Sequence, residues 1–210
     1  MAETNARQRI GVLGGTFDPI HLGHLLIAEL TRESLNLQKV IFIPAAISPL
    51  KQDREPTADA KHRLEMARLA ICGNPGFEVD DRELSRGGTS YTIDTLRELA
   101  IEMPDVELVM IIGADSLADF HLWREPAEIC KLAFVAVLAR GGHDAPEVAQ
   151  LVPFLPAKKG VDPQRHVVPA REIEISSTDL RERIAQGRTT RYQLPPGVGA
   201  YIDTNRLYLS

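Results

Sequence analysis

Short apolar runs alternate with helix-period patterns along most of this chain, and that alternation restricts the fold more than any other feature. Runs at Arg9 to Leu13, Val40 to Pro44, Phe77 to Val79, Leu108 to Ile112 and Phe134 to Leu138 have the length of strands. Between them Leu25, Leu26, Ala28 and Leu30, then Ala60, Leu64, Ala67 and Ile71, then Ile93, Leu96 and Ala100 recur at helical spacing. Strands separated by helices build βα units, so an α/β fold with a doubly wound, mostly parallel sheet is expected. With 210 residues, 44% of them apolar, the chain supports one core, and a single domain over residues 1–210 is expected.

Residues 172–210 form a small C-terminal helical part in this reading. One helix runs from Ser176 to Gln186 with Gly187 as its stop, and another follows Pro195 and Pro196. From Gly141 to Arg171 the pattern is interrupted by Pro146, Pro153, Pro156, Pro163 and Pro169, and only a short helix near Glu147 to Leu151 is expected there.

The formal net charge of -5 argues against a protein that wraps nucleic acid. Two cysteines, Cys72 and Cys130, make no disulfide framework and fit a reducing cytoplasm, with Cys72 expected as a core thiol beside Leu69, Ala70 and Ile71. The first residues carry no apolar signal region, and the greasiest stretch, Val106 to Ala114, contains Glu107 and is too short to span a bilayer. No membrane association is expected.

Ligands of such sheets sit beyond the carboxyl ends of the strands, so the strand-end loops bear on function. The first is Gly14-Gly15-Thr16-Phe17-Asp18-Pro19-Ile20-His21-Leu22-Gly23-His24, leading from an apolar strand into a helix. Glycines admit a ligand close to the backbone, the unpaired amides of a helix start favour an anion, and two imidazoles add donors. Phosphate fits those demands. The stretch lacks the Lys-Ser/Thr ending of a P-loop and the Gly-x-Gly-x-x-Gly spacing of a dinucleotide fingerprint. Two histidines without a carboxylate or thiol cluster also fall short of a metal set, so no protein metal site is expected.

A second helix start, Ser176-Ser177-Thr178-Asp179-Leu180-Arg181, groups three hydroxyls with a guanidinium one turn on. Hydroxyls there are ordinarily caps. A cation in a first turn opposes the helix dipole, whereas a bound phosphate would be held by dipole and guanidinium together. His-x-Gly-His after Gly-Gly-Thr-Phe-Asp-Pro resembles the nucleotidyltransferase superfamily, and Ile-Ser-Ser-Thr-x-Leu-Arg resembles its second signature. The resemblance implies a Rossmann-like fold in which Gly14, Gly15, Thr16, Phe17, His21, His24, Ser176, Ser177, Thr178 and Arg181 grip the phosphates of ATP. It also implies that Lys51, at the end of the Pro44 to Lys51 loop, reaches the reacting phosphates. That loop usually reads Pro-Pro-His-Lys in the family; here Leu50 replaces the histidine and Ser48 one proline.

Two more strand-end segments are Ser90-Tyr91-Thr92-Ile93-Asp94-Thr95-Leu96 and Ile112-Gly113-Ala114-Asp115-Ser116, the latter followed by Phe120 and the lone Trp123. A lone tryptophan is most often a core residue, and ring stacking on a flat heteroaromatic ligand is the competing role. Together with the Arg191-Tyr192-Gln193-Leu194 tail, these motifs are similar over nearly the whole chain to bacterial nicotinate-nucleotide adenylyltransferases. The family implies adenylyl transfer from ATP to nicotinate mononucleotide, giving deamido-NAD and pyrophosphate. Thr92, Asp115, Phe120, Trp123 and Lys51 then border the acceptor, His21, His24, Lys51 and Arg181 act on the reacting phosphates, and Mg²⁺ arrives on ATP. The alternatives are nicotinamide mononucleotide or phosphopantetheine as acceptor, and a nucleotide-binding module without catalysis.

Overall fold

Alternate residues of the central strands go to opposite faces of one sheet and fill two separate cores. The computed structural model describes residues 7–49, 56–139, 147–156, 162–169 and 174–209. Among these, β1 (Gln8–Gly15), β2 (Lys39–Pro44), β3 (Phe77–Val79), β4 (Val106–Gly113), β5 (Ala133–Ala139) and β6 (Val167–Pro169) pair in the order β3-β2-β1-β4-β5-β6, all in parallel. The helices are α1 (Leu22–Ser34), α2 (Ala60–Ile71), α3 (Arg82–Arg86), α4 (Thr92–Glu102), α5 (Ala114–Ala118), α6 (Pro126–Leu132), α7 (Ser177–Ala185) and α8 (Pro196–Asn205). On one face Val109 and Ile111 of β4 pack with Ala28, Met66, Leu180, Val198 and Ile202, so α1, α2, α7 and α8 share a core. On the other, Leu108, Met110 and Ile112 pack with Ile93, Leu96, Leu99 and Ile129 of α4 and α6. Helices thus cover both faces, as a doubly wound sheet requires, and the strand order reverses between β1 and β4. The crevice at that reversal is where such sheets hold ligands.

Several local expectations change. Cys72 is not a core thiol: α2 ends at Ile71, Cys72 turns out of the helix and is exposed. Cys130 is the buried one, and burial pushes its thiol up to about 11. Within the irregular stretch, residues 148–154 form a 3-10 helix that contains Pro153. The edge strand β6 carries Pro169, whose missing N–H is tolerated where a sheet ends. No helix among the described residues is long and apolar enough to cross a membrane.

One buried cation ties the fold to its ligand-facing edge. Arg63 falls on the apolar side of α2 with Met66 and Ala67 and is 2% exposed. Its guanidinium donates to the carbonyls of Thr16 (2.8 Å), Ala45 (2.7 Å), Ala58 (3.2 Å) and Ala46 (3.4 Å), joining the loops that follow β1 and β2. Desolvation lowers its affinity for the proton, and the charge of Asp18 offsets part of that. Arg63→Met should lower stability by roughly 3–5 kcal/mol, because it strands these buried carbonyls and takes from Asp18 one of its two positive neighbours, leaving Arg181 at 4.0 Å. Arg63→Lys should recover little, since a point charge cannot span the same acceptors. Urea midpoints of both variants near that of the unmutated chain would contradict this.

Candidate active site

At the carboxyl end of β1 the chain passes Gly14 and Gly15 and enters α1 through a tight loop. A Cβ on Gly14 would meet nothing within 4 Å, and the same holds at Gly113, where the neighbouring β4 ends. The two strand ends flanking the reversal therefore leave open space for a ligand to touch backbone. At Gly15 the constraint is internal: a Cβ would stand 3.0 Å from the Phe17 ring. Phe17 adopts φ 51 and is 2% exposed, with its ring edge-on to His24 at 5.1 Å and tilted on Phe42 at 5.9 Å. Its side chain supports His24 from within the core and does not face the open space.

His21 is the N-cap residue of α1 and His24 its third residue, so both rings gather at the helix start, stacked 3.7 Å apart. The His21 backbone N–H donates to His24 Nδ1 at 3.2 Å. A neutral ring that accepts at Nδ1 carries its proton on Nε2, which makes Nε2–H the donor of His24. His21 is 6% exposed, and desolvation holds its pKa down to about 4, so the ring is neutral near pH 7. Its Nδ1 is buried without a hydrogen-bond partner among the described residues. Two neutral imidazoles thus gather at the start of α1, where the Leu22 amide donates to the Gln193 carbonyl and the His24 and Leu25 amides to the His21 carbonyl.

The second phosphate motif meets the first. Ser176 is the N-cap of α7 and accepts from the Thr178 amide at 3.2 Å, a capping role. Ser177 Oγ donates to the Pro19 carbonyl at 2.9 Å. Arg181 donates to the Asp18 carbonyl at 2.7 Å and to Thr178 Oγ1 at 3.3 Å, and its guanidinium is about a quarter exposed. The starts of α1 and α7 are thereby fastened to one loop.

Asp18, within that loop, went unassigned in the sequence reading. It is 4% exposed; its carboxylate accepts from the amides of Thr57 (2.7 Å) and Ala58 (3.1 Å) and from the Tyr208 hydroxyl (2.7 Å). Burial and that bond raise the Tyr208 pKa. A carboxylate inside Thr-Phe-Asp-Pro-Ile, and an arginine in phase with Met66 and Ala67, are the signals from which Asp18 and Arg63 could have been found.

Of the residues expected at the acceptor, Thr92 opens α4, which follows α3 and not a strand end as the sequence suggests, and Asp115 lies in the first turn of α5 directly after β4. Phe120 does not border open space: it is 1% exposed and sits under Trp123 at 5.3 Å and against Phe154 at 5.8 Å. The aromatic pair thus has an inner member, Phe120, and an outer one, Trp123, whose Nε1 is buried without a partner among the described residues. Tyr91, just before Thr92, lies under the guanidinium of Arg124 at 4.9 Å. Lys51 and Leu50 lie outside the described residues.

Among the described residues no three His, Cys, Asp or Glu side chains gather as a metal set. A separate cleft of about 510 Å³ lies at the opposite ends of the strands, lined by Arg9, Leu35, Glu107, Phe134 and Arg165. There Arg9 is already paired with Glu107 and the Leu35 carbonyl and covers the Phe134 ring.

The cytidylyltransferase-like family model matches residues 12–183. A probable nicotinate-nucleotide adenylyltransferase of Rhodopirellula baltica is 46% identical over 199 residues, spanning 95% of this chain and 92% of its own length. One from Roseiflexus sp. (strain RS-1) is 47% identical over 201 residues, spanning 95% of this chain and 97% of its own. The fold resembles that of Plasmodium falciparum nicotinic acid mononucleotide adenylyltransferase complexed with NaAD, with a TM-score of 0.74 at 17% identity over 96% of this chain and 97% of that one. Matched along nearly its full length by relatives of one kind, the chain belongs to the nicotinate-nucleotide adenylyltransferase family.

Proposed function

We propose that this chain transfers the adenylyl group of ATP to nicotinate mononucleotide, forming deamido-NAD and releasing pyrophosphate. One observation carries the reading beyond family membership. Two helix starts, one with His21 and His24 and one with Arg181, are joined through the Asp18 and Pro19 carbonyls beside the open ends of β1 and β4. An oxygen of the mononucleotide 5'-phosphate attacks the α-phosphorus of ATP. The new P–O bond forms as the bond from the α-phosphorus to the bridging oxygen breaks, and pyrophosphate leaves with that electron pair. No protein nucleophile is needed. The work of the site is alignment and stabilisation of charge on the bridging and leaving oxygens.

His24 Nε2–H, the positive dipole end of α1 and the Arg181 guanidinium suit that work, and Lys51 adds a cation by family analogy. A donor that is neutral in the resting state keeps its Nε2–H at pH 7, so its hydrogen bond to a phosphate oxygen does not wait on ionisation. Mg²⁺ enters as part of the substrate, held by ATP oxygens and water. Thr92, Asp115 and Trp123 border the acceptor, with Trp123 as ring platform on the buried Phe120.

Pyrophosphate release with ATP and each of two acceptors, nicotinate and nicotinamide mononucleotide, tests the assignment. A flat aromatic wall cannot tell carboxylate from amide; donors aimed at both carboxylate oxygens can, because an amide turns one acceptor into a donor. Nicotinate mononucleotide should be favoured at least about a hundredfold in kcat/KM, roughly 3 kcal/mol. Trp123→Ala should weaken both acceptors and preserve most of the ratio. Equal use of both by the unmutated chain would overturn the nicotinate assignment, and no turnover with either would overturn the enzyme reading.

His24→Ala should lower kcat roughly a hundredfold or more, as for loss of one preorganised donor. Its cost in stability should stay near 1 kcal/mol, for the His21 amide left without its acceptor. Stopped-flow or steady-state turnover near the unmutated rate would remove His24 from the chemistry.

A further inference from the structure

Glu83 is a buried carboxylate that the phosphate chemistry leaves unused. It lies in α3, is 6% exposed, and accepts from Thr95 Oγ1 at 2.6 Å and from the Ser90 hydroxyl. Burial raises its pKa above the usual carboxylate range, with both hydroxyl bonds and Arg86 pulling the other way. Each hydroxyl has a second partner. Thr95 accepts from Arg86 at 3.0 Å, and Arg86 is also paired with Glu98. Ser90 accepts from the Ala46 amide at 2.8 Å, while its own amide donates to the Ile47 carbonyl at 2.8 Å. Next to it, Thr89 bridges Ile47 in parallel register.

These bonds fix an otherwise free segment. Between α3 and α4 the chain runs through Gly87 and Gly88, both at positive φ (69 and 67), a region that glycine enters and leaves readily, so the two glycines by themselves do not fix the path of the chain. Residues Thr89 to Thr92 then carry the acceptor-side motif to the start of α4. Within this segment the Ser90 hydroxyl joins α3, through Glu83, to the loop after β2, through Ala46. That loop is the one that continues toward Lys51.

We infer that Glu83 is a positioning residue for the acceptor: through Ser90 it locks the Thr89 to Thr92 segment onto the loop after β2, so that Thr92 and the start of α4 meet the mononucleotide in fixed register. The inference rests on the proposed acceptor reading. It requires a carboxylate in particular, because two hydroxyl donors converge on it. Glutamine keeps the shape but turns an NH₂ toward one of them.

The test compares Glu83→Gln, Ser90→Ala and the double variant with the unmutated chain, by pyrophosphate release with ATP and nicotinate mononucleotide varied in turn. Each single variant should raise KM for the mononucleotide about tenfold, leave KM for ATP within about twofold, and the double variant should add little to either, since both act through one bond. Equal rises in both KM values, unchanged KM for the mononucleotide, or additive effects would each overturn the inference. If Glu83→Gln does not fold, Ser90→Ala, which removes only one hydroxyl, decides by the same KM split. If the unmutated chain does not use nicotinate mononucleotide, the acceptor reading fails separately. Amide hydrogen exchange across residues 87–92 then decides: about tenfold or faster exchange in Ser90→Ala, with the rest of the sheet unchanged, supports the lock, and unchanged exchange overturns it.

Discussion

The ligand-facing edge of this protein depends on a carboxylate and a guanidinium buried beneath it, Asp18 and Arg63. Loops are ordinarily the mobile part of an α/β fold, because their backbone groups find no ladder partners. Here the loops after β1 and β2 have their carbonyls drawn to Arg63, and the chain entering α2 has its amides drawn to Asp18. Two opposite charges in a dry interior are expensive individually and tolerable together when each is fully hydrogen-bonded. Tyr208 closes the arrangement from the far C-terminal end, 190 residues away in sequence. Removing either charge would release several loops at once.

In the proposed reaction, that anchoring is what lets neutral groups serve as phosphate donors. The His21 amide fixes the tautomer of His24, the Phe17 ring holds its edge, and burial keeps His21 uncharged. Donors held in place before the substrate arrives cost no reorganisation during the reaction. Arg181 adds a partly exposed charge, and its bond to the Asp18 carbonyl keeps it within reach of the α1 start.

The central strands were legible because both of their faces are buried, which leaves nearly continuous apolar runs such as Val109 to Ile112. The glycines and hydroxyls of the two helix-start motifs were legible too, and the structure fastens both helix starts to one loop. What stayed hidden is tertiary. Helix α3 has five residues, too few to show a period, and β6 is a three-residue edge. Cys72 looked internal because its neighbours are apolar, but α2 stops one residue earlier and turns it outward. Phe17 and Phe120 stand in ligand-binding motifs yet point inward as supports, a distinction that spacing alone does not carry. Asp18, Arg63 and Glu83 are polar groups satisfied by partners far away in sequence, and no local pattern encodes such partners.

The central claim is that the buried Asp18 carboxylate, bonded to the Thr57 and Ala58 amides and to Tyr208, holds the loop whose Asp18 and Pro19 carbonyls fasten the starts of α1 and α7 together. Asp18→Asn tests it most directly, because asparagine keeps the volume while removing the charge and turning an NH₂ toward donors. KM for ATP should rise at least about tenfold, roughly 1.4 kcal/mol, together with a lower urea midpoint. An Asp18→Asn protein with the ATP affinity and urea midpoint of the unmutated chain would contradict the account.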